Sequence, residues 1–198
     1  MALESSSIRS RLGFFGGSFD PPHLGHIELA KQAVIDAKLD TLLLCPAFHA
    51  PMRDQAPHFS ARDRLGMIES ICRNHKNFVP CSLEVDHQST RFTYETLCEV
   101  RKEYPLHDLF LLLGDDQFNK LEQWENPSEL AKLVHFLVFY RGKASSNPPN
   151  LPNLKFTTIK NRPINISSTA IRKQLSVGHV PVQYLPAEVS NYLTQNCQ

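Results

Sequence analysis

The sequence lacks the features that mark membrane, secreted and nucleic-acid-binding proteins. No apolar run approaches the roughly 20 residues that a membrane-spanning helix requires. Residues 1–10 lack the apolar core of a secretory signal peptide, and we expect them to form a short flexible lead. The 21 Lys and Arg residues nearly balance the 20 Asp and Glu residues, so the net charge of +1 gives no general attraction to nucleic acid or to anionic lipid. We therefore expect a soluble protein with small-molecule partners.

Cysteine is scarce, and its pattern excludes a disulfide framework. The five cysteines are odd in number and scattered, with no CxxC pair and no spacing typical of a zinc site. Free thiols in a reducing compartment are the expected state, which predicts a cytoplasmic protein. Whether the chain forms a homo-oligomer stays open.

The order of apolar patterns predicts one α/β domain over residues 11–198. Short apolar runs predict strands at Leu12–Phe15, Thr41–Cys45, Phe78–Val85, Asp108–Leu113, Val134–Tyr140 and Lys155–Ile159. Helical periodicity runs from Ile27 to Leu39 and over Ser60–Cys72, Thr93–Glu103, Ser168–Ser176 and Pro186–Gln195. Pro80 places its strand at an edge of the sheet or delays its start, and Arg141–Pro152 reads as a loop. Alternating strands and helices predict a Rossmann-like, doubly wound parallel sheet.

The most informative segment is the string GGSFDPPHLGH from Gly16 to His26. It follows a predicted strand and precedes a helical pattern, so it reads as a strand end, a glycine turn and a helix start. Such a turn presents unpaired backbone N–H groups and a positive helix end to an anion. The segment therefore predicts a phosphate site at the carboxyl end of a strand, where parallel sheets bind ligands.

The glycines of this string have a steric reason to be there. Side chains at Gly16 and Gly17 would hold the backbone away from a triphosphate, and a tight turn there would use positive φ. Gly25 weakens the first helical turn, which a ligand such as a purine ring lying against the backbone would explain. An ordinary turn with surface histidines is the alternative, and it is the preferred interpretation for His-x-x-His alone.

His23 and His26 lie three residues apart, on one face of the predicted first helical turn. Their predicted role is to contact a triphosphate and to stabilise charge that builds on the α-phosphate during substitution. A metal pair is the rival interpretation. Zinc sites use three or four ligands, and no third His or Cys stands nearby in sequence, so no metal site is predicted.

A second candidate phosphate site spans Ile166 to Arg172 with the sequence ISSTAIR. Ser167, Ser168 and Thr169 place hydroxyls at a helix start, and Arg172 follows one turn later. Hydroxyls, backbone N–H groups and a guanidinium together suit phosphate. A plain Ser/Thr helix cap is the commoner meaning of such a string. Alongside the first string, the phosphate interpretation is favoured, with Arg172 holding the β- and γ-phosphates that leave.

These two strings carry a family resemblance. His23-Leu24-Gly25-His26 resembles the (T/H)xGH signature of the nucleotidylyltransferase superfamily, and Ile166–Arg172 is similar to its ISSTxIR motif. The fuller form GGSFDPPHLGH resembles the bacterial nicotinate-mononucleotide adenylyltransferases. The resemblance implies transfer of the adenylyl group of ATP, with Mg²⁺, to nicotinate mononucleotide, giving deamido-NAD and pyrophosphate. It implies catalytic roles for His23, His26 and Arg172.

The resemblance also implies the nucleotide contacts. Gly114-Asp115-Asp116 stands where the family usually has GAD, so Gly114 and Asp116 would border the nucleotide and ribose pockets. Taken alone, Gly-Asp-Asp after a strand could equally be a helix cap. The full ATP set that we expect is Gly16, Gly17, Ser18, Phe19, His23, Gly25, His26, Gly114, Asp116, Ile166, Ser167, Ser168, Thr169 and Arg172.

The acceptor contacts rest on the resemblance and show departures from it. Trp124 matches a family tryptophan that packs beside the pyridine ring, although a lone tryptophan is more often part of a core. Where the family often has PPHK or PPHR, this chain has Ala50-Pro51-Met52-Arg53, which keeps one proline and the basic residue. Where the family has SYT, this chain has Arg91-Phe92-Thr93. The expected acceptor set is Ser18, Phe19, Arg53, Thr93, Asp116 and Trp124.

Three alternatives stay open at this stage. The same chemistry could serve nicotinamide mononucleotide or phosphopantetheine as acceptor. A nucleotide-binding regulator without turnover is a different class, against which the intact histidine, serine and arginine set speaks. A dehydrogenase is disfavoured because the first turn lacks GxGxxG spacing and no acidic ribose clamp follows at the usual distance.

Overall fold

The fold is built on a parallel sheet, as the alternation of patterns predicted. A computed structural model describes residues 9–49, 55–140, 148–161 and 165–196. Its six strands are β1 (Arg11–Gly17), β2 (Thr41–Pro46), β3 (Phe78–Pro80), β4 (Asp108–Gly114), β5 (His135–Phe139) and β6 (Phe156–Ile159). They lie in the order β3-β2-β1-β4-β5-β6, and every neighbouring pair is parallel. This single α/β domain with Rossmann-like order confirms the predicted fold class.

Helices cover both faces of the sheet. They are α1 (Leu24–Asp36), α2 (Ala61–Cys72), α3 (Leu83–His87), α4 (Thr93–Glu103), α5 (Asp115–Phe118), α6 (Pro127–Leu133), α7 (Ser168–Leu175) and α8 (Ala187–Asn196). Helices α1, α2, α7 and α8 contribute buried residues to one hydrophobic core, and α4 and α6 to the other. Because both faces are covered, the strand interiors are apolar on both sides, as the consecutive buried residues Leu42-Leu43-Leu44 illustrate.

One predicted strand is wrong over most of its length. Only Phe78–Pro80 pairs with β2, at the edge of the sheet as Pro80 indicated, and the predicted continuation to Val85 is instead the start of α3. The Cys81 N–H still donates to the Leu44 carbonyl at 2.9 Å. The ladder ends there, and the chain turns into a helix whose Val85 side chain is buried. The short helices α3, α5 and α6 were not predicted, because so few residues carry too little periodicity.

The structure describes only part of the regions for which free thiols, a flexible lead and a loop were expected. Cys45, Cys72, Cys81 and Cys98 are free thiols, while Cys197 falls outside the described residues. Most of the expected lead (residues 1–8) and of the loop (residues 141–147) also falls outside them. Within the described ranges, no helix is both long enough and apolar enough to cross a bilayer.

The strand order fixes where a ligand can bind. The chain passes from β1 outward to β2 and β3, and then returns to place β4 on the other side of β1. The order in which strands are added therefore reverses between β1 and β4. In parallel sheets of this kind, ligands usually bind in the crevice beyond the carboxyl ends of the two strands at such a reversal. Gly17 ends β1, and Gly114 ends β4. The segment that follows Gly17 and the segment that follows Gly114 therefore both begin at this crevice.

Candidate active site

The glycine pair belongs to the end of β1 rather than to the turn. Gly16 and Gly17 pair with Cys45 and Pro46 of β2, and neither glycine has φ in the left-handed region. The expectation of positive φ at these glycines is wrong. The left-handed residue is Phe19, with φ of 46°. The chain makes its sharp change of direction two residues later than the glycines suggested.

The two glycines differ in what a side chain would meet. A Cβ at Gly16 would lie 2.9 Å from Cε1 of Phe14, whose ring is fully buried, so internal packing alone excludes a side chain there. A Cβ at Gly17 would meet the Phe19 ring at 3.5 Å, which is an ordinary contact. Gly17 therefore has no packing reason to be glycine, and close approach of a ligand to its backbone remains the available explanation.

The two predicted histidines lie together at the start of α1. His23 is the residue before the helix, and its backbone N–H donates to Nδ1 of His26 at 3.2 Å. The two rings stack with centroids 3.7 Å apart, and the Phe19 ring packs edge-on against His26 with centroids 5.0 Å apart. His23 is 6% exposed, and Gly25 between the two is buried. Both imidazoles thus share one face beside the positive end of a helix.

The second motif docks directly onto the first. The Ser168 hydroxyl donates to the Pro21 carbonyl at 3.1 Å. Nη1 of Arg172 donates to the Asp20 carbonyl at 2.7 Å and lies 3.4 Å from Oδ2 of the Asp20 carboxylate. Nη2 of the same guanidinium donates to the Thr169 hydroxyl at 3.2 Å. The structure therefore brings the start of α7 to the segment that joins β1 to α1.

The remaining residues of the second motif shape the helix start. The Ser167 hydroxyl accepts the Ala170 N–H at 3.2 Å, which is the cap that the sequence allowed. Ile166 packs against the core on the α1 side of the sheet. The start of α1 and the start of α7 therefore both lie beside the 20–21 segment.

Asp20 is a residue of the candidate site that no sequence pattern predicted. Its carboxylate is 4% exposed, and its two oxygens accept the backbone N–H groups of His58 and Phe59 at 2.9 Å each. The same carboxylate faces Arg172. Asp20 stood inside the first motif, but its role depends on residues 38 and 39 positions away. No local pattern signals such contacts.

Arg64 is a second missed residue. It lies on α2, is 1% exposed, and donates to four backbone carbonyls on three different segments. A signal was available in this case. Arg64 falls at helical spacing with Met67, Ile68 and Ile71, so the periodicity of α2 places a charged side chain on its buried face.

The acidic pair after β4 begins a short helix. Asp115 and Asp116 form the first turn of α5, and Oδ1 of Asp115 accepts the Asp116 N–H at 3.0 Å. Gly114 is the residue before the helix and no side chain caps it, so the two acids belong to the first helical turn rather than to a side-chain cap. Asp116 is exposed, and Gly114 lies at the carboxyl end of β4 beside the crevice. Both predicted contact residues stand at the expected edge of the sheet, and Oδ2 of the exposed Asp116 accepts a hydrogen bond from Nε2 of Gln117 at 3.4 Å.

The acceptor residues have mixed outcomes. Trp124 is half-buried against the core on the α4 side, and its Nε1 is a buried donor without a hydrogen-bond partner among the described residues. Thr93 is the first residue of α4 and is half-buried. Arg53 falls outside the described residues.

Arg91, which precedes α4, is largely buried. Its side chain is 13% exposed, and Nη2 donates to Oε1 of Glu99 at 2.8 Å, while His87 contacts the other oxygen at 3.0 Å. Hydrogen bonds from Arg91 and His87 lower the pKa of Glu99 to about 2. The ion pair between Arg91 and Glu99 therefore fixes the residues before α4 to the helix.

No group of three or more His, Cys, Asp or Glu side chains within the described ranges could hold a metal ion. Asp20 is the acid in contact with this region, and both its oxygens already accept backbone N–H groups.

Comparisons with a family model and with related sequences agree on the family of this chain. Residues 14–174 match the cytidylyltransferase-like family. The chain is 35% identical over 175 residues to a probable nicotinate-nucleotide adenylyltransferase of Shouchella clausii, covering 88% of each chain. It is also 35% identical over 185 residues to one of Methylibium petroleiphilum, covering 92% of this chain and 87% of the relative.

A solved structure shares the fold. The Plasmodium falciparum nicotinic acid mononucleotide adenylyltransferase complexed with NaAD superposes with a TM-score of 0.74 at 20% identity, over 94% of this chain and 96% of the other. The match of the family over most of the chain, together with relatives that cover nearly its full length, identifies the chain as a member of the cytidylyltransferase-like family and, within it, of the nicotinate-nucleotide adenylyltransferases.

Proposed function

We propose that this protein transfers the adenylyl group of ATP to nicotinate mononucleotide and releases pyrophosphate, a step of NAD biosynthesis. The observation that carries the proposal is the docking of α7 onto the 20–21 segment, which brings Arg172 beside the segment that ends in His23. Relatives at 35% identity bear the name of this activity.

We propose a direct, in-line substitution. A phosphate oxygen of nicotinate mononucleotide attacks the α-phosphorus of ATP, the new phosphorus–oxygen bond forms, and the bond to the β-phosphate oxygen breaks. Pyrophosphate leaves with the bonding electrons. No covalent enzyme intermediate is needed, because such transfers depend mainly on positioning and on stabilisation of charge.

His23 and His26 are proposed to donate to the α-phosphate as its charge increases. A positioned donor of this kind contributes about 3 kcal/mol to transition-state stabilisation. Arg172 is proposed to hold the β- and γ-phosphates through its planar fork of donors, which suits phosphate oxygens. The start of α1 supplies further backbone donors.

ATP is proposed to bind as its Mg²⁺ complex. Mg²⁺ usually keeps several waters and binds phosphate oxygens of the substrate. Both oxygens of Asp20 are engaged by backbone N–H groups, so the ion would be held by the triphosphate. The ion then screens the charge that the histidines and Arg172 also face.

The other nucleotide contacts are proposals on the same basis. Gly17, Ser18 and Phe19 would line the phosphate side, and Gly114 and Asp116 the ribose side, since both groups lie where β1 and β4 end. The half-buried Trp124 and Thr93 are proposed to meet the pyridine ring and its carboxylate. The proposed setting is the cytoplasm, with ATP and nicotinate mononucleotide as partners and without nucleic acid.

The deciding experiment is a competition assay. Pyrophosphate release is measured with ATP and an equal mixture of nicotinate and nicotinamide mononucleotides, and the products are separated by chromatography. We expect deamido-NAD to predominate. Preference for the amide, or for phosphopantetheine in a parallel reaction, would overturn the acceptor, while absence of pyrophosphate with every acceptor would favour a regulator that binds nucleotide without turnover.

A further inference from the structure

Arg64 is a buried cation that pairs with no described carboxylate within salt-bridge distance. Nε donates to the Phe59 carbonyl at 3.1 Å, and Nη2 donates to the Phe48 carbonyl at 2.9 Å. Nη1 donates to the carbonyls of Ser18 and Ala47 at 2.8 Å and 2.5 Å. Burial lowers the pKa of this guanidinium, although Asp20, Glu84 and Asp63 oppose the shift. Removing a charge from water is costly, and hydrogen bonds to carbonyl dipoles offset that cost only while the geometry is kept.

The four carbonyls belong to segments that meet at the carboxyl edge of the sheet. Ser18 directly follows β1, Ala47 and Phe48 follow β2, and Phe59 precedes α2. Asp20 binds the Phe59 N–H while Arg64 binds the Phe59 carbonyl, so this residue is held from both sides. A single side chain thus fixes the relative positions of these segments.

The contact with Ser18 sets the direction of the next amide. The Ser18–Phe19 peptide is trans, so its carbonyl and its N–H point in opposite directions. Because the carbonyl points at Arg64, the Phe19 N–H points away from it. That N–H makes no hydrogen bond to another described residue, although Phe19 is only 2% exposed. A buried backbone donor of this kind is normally satisfied, which indicates that it is kept for a ligand.

Phe19 also needs support for its own conformation. Its φ of 46° is unfavourable for a residue with a side chain, and such residues persist where their surroundings fix them. Arg64 holds the carbonyl before Phe19, and the His58 and Phe59 N–H groups hold the Asp20 carboxylate after it. The Phe19 ring in turn packs edge-on against the His26 ring.

We infer that Arg64 is a positioning residue for the nucleotide site: through the Ser18 carbonyl it orients the Phe19 amide toward the polyphosphate and the Phe19 ring against His26. The identity of the ligand in this inference rests on the proposed function. The effect of Arg64 on the position of His26 is independent of that function. The guanidinium itself touches no substrate in this assignment.

The test compares R64K and R64Q with the wild type and with R73Q, which removes an exposed arginine from the end of the same helix. The imidazole NMR resonance of His26, assigned with H26Q, reports the neighbouring Phe19 ring without any need for activity. We expect it to shift in R64K and R64Q and to stay in place in R73Q. The lysine ammonium is compact and lacks the planar fork that spreads donors over three segments, so retained charge should not restore the resonance.

Kinetics and melting curves separate positioning from stability. Well below the melting temperature, we expect the KM for ATP to rise at least tenfold in R64K, with a smaller change in the KM for the acceptor. A lowered melting temperature with the His26 resonance and both KM values unchanged would overturn the inference. If the wild type releases no pyrophosphate, the proposed function fails, and the His26 resonance still decides the role of Arg64.

The wild type alone supplies a second measurement in case both Arg64 variants fail to fold. In its ¹⁵N spectrum we expect a slowly exchanging Arg64 Nε–H and a Phe19 amide resonance that moves when a non-hydrolysable ATP analogue is added. An Nε–H in rapid exchange with water, or a Phe19 amide unmoved by saturating analogue, would overturn the inference.

Discussion

Arg172 is bound twice to Asp20, by a hydrogen bond of 2.7 Å to its backbone carbonyl and by an ion pair of 3.4 Å to its carboxylate. The arginine that is proposed to hold the leaving phosphates therefore has an anionic partner before any nucleotide arrives. Its side chain stays 24% exposed, so part of the guanidinium remains accessible. Asp20 keeps the fork in a fixed place near the start of α1.

Replacing Arg172 should affect ATP far more than folding. We expect R172A to lower kcat/KM for ATP about 100-fold, because a donor to the reacting phosphates is worth about 3 kcal/mol. R172K should recover only part of the loss, since lysine lacks the planar fork. The measurement is pyrophosphate release at varied ATP. K173A, at the exposed neighbouring position, is the control and should behave as the wild type.

Replacing either histidine should reduce turnover much more than stability. We expect H23A and H26A each to lower kcat by about 100-fold, as for removal of one positioned donor. H179A, which removes an exposed histidine, serves as the matched control. Turnover and thermal unfolding are measured on the same samples. Near-normal kcat in both H23A and H26A would reject their proposed role.

Alanine at Gly16 and at Gly17 should have different effects. G16A places a methyl group 2.9 Å from the buried Phe14 ring, and overpacking of this kind costs about 1–3 kcal/mol of unfolding free energy. G17A meets no close contact, so we expect near-normal stability with weaker binding of ATP. Urea unfolding and calorimetric titration of an ATP analogue check the two effects. Equal loss of stability in both variants would contradict the packing argument.

Glu99 should stabilise the fold in a pH-dependent way. Its pKa is lowered to about 2 by Arg91 and His87, so its stabilising charge is complete above its ordinary value near 4.5 and is lost as pH falls toward 2. Because the pair lies near the surface, we expect E99Q to lose about 1 kcal/mol at pH 7. The difference should vanish toward pH 2, as followed by urea unfolding at each pH. E69Q, at an exposed helical glutamate, should show no such trend.

The sequence predicted those parts of the fold that repeat a pattern. The strands β1, β2, β4 and β5 and the long helices follow from apolar runs and helical spacing, because each residue there contributes to one regular signal. The prediction that the strand continues after Pro80 was wrong, because a three-residue strand and a five-residue helix are too short to show a clear periodicity.

The two motifs of the candidate site could be recognised from side-chain identity, while the roles of their residues stay predictions. His23, His26, Ser168 and Arg172 stood out for that reason, and the structure brings the two motifs together. Helical spacing places Arg64 on the buried face of α2, but its partners were not predictable, since they are backbone carbonyls, which every residue has. The positive φ at Phe19 was not predictable either. Asp20 escaped notice because its partners are distant amides of the same kind.

The link from Ser168 and Arg172 to Pro21 and Asp20 spans about three quarters of the polypeptide. A ribosome that has made only the first strands and helices has therefore produced one half of the proposed polyphosphate site, because His23 and His26 are synthesised long before Arg172. Competence would be gained late and in one event, when α7 docks beside α1.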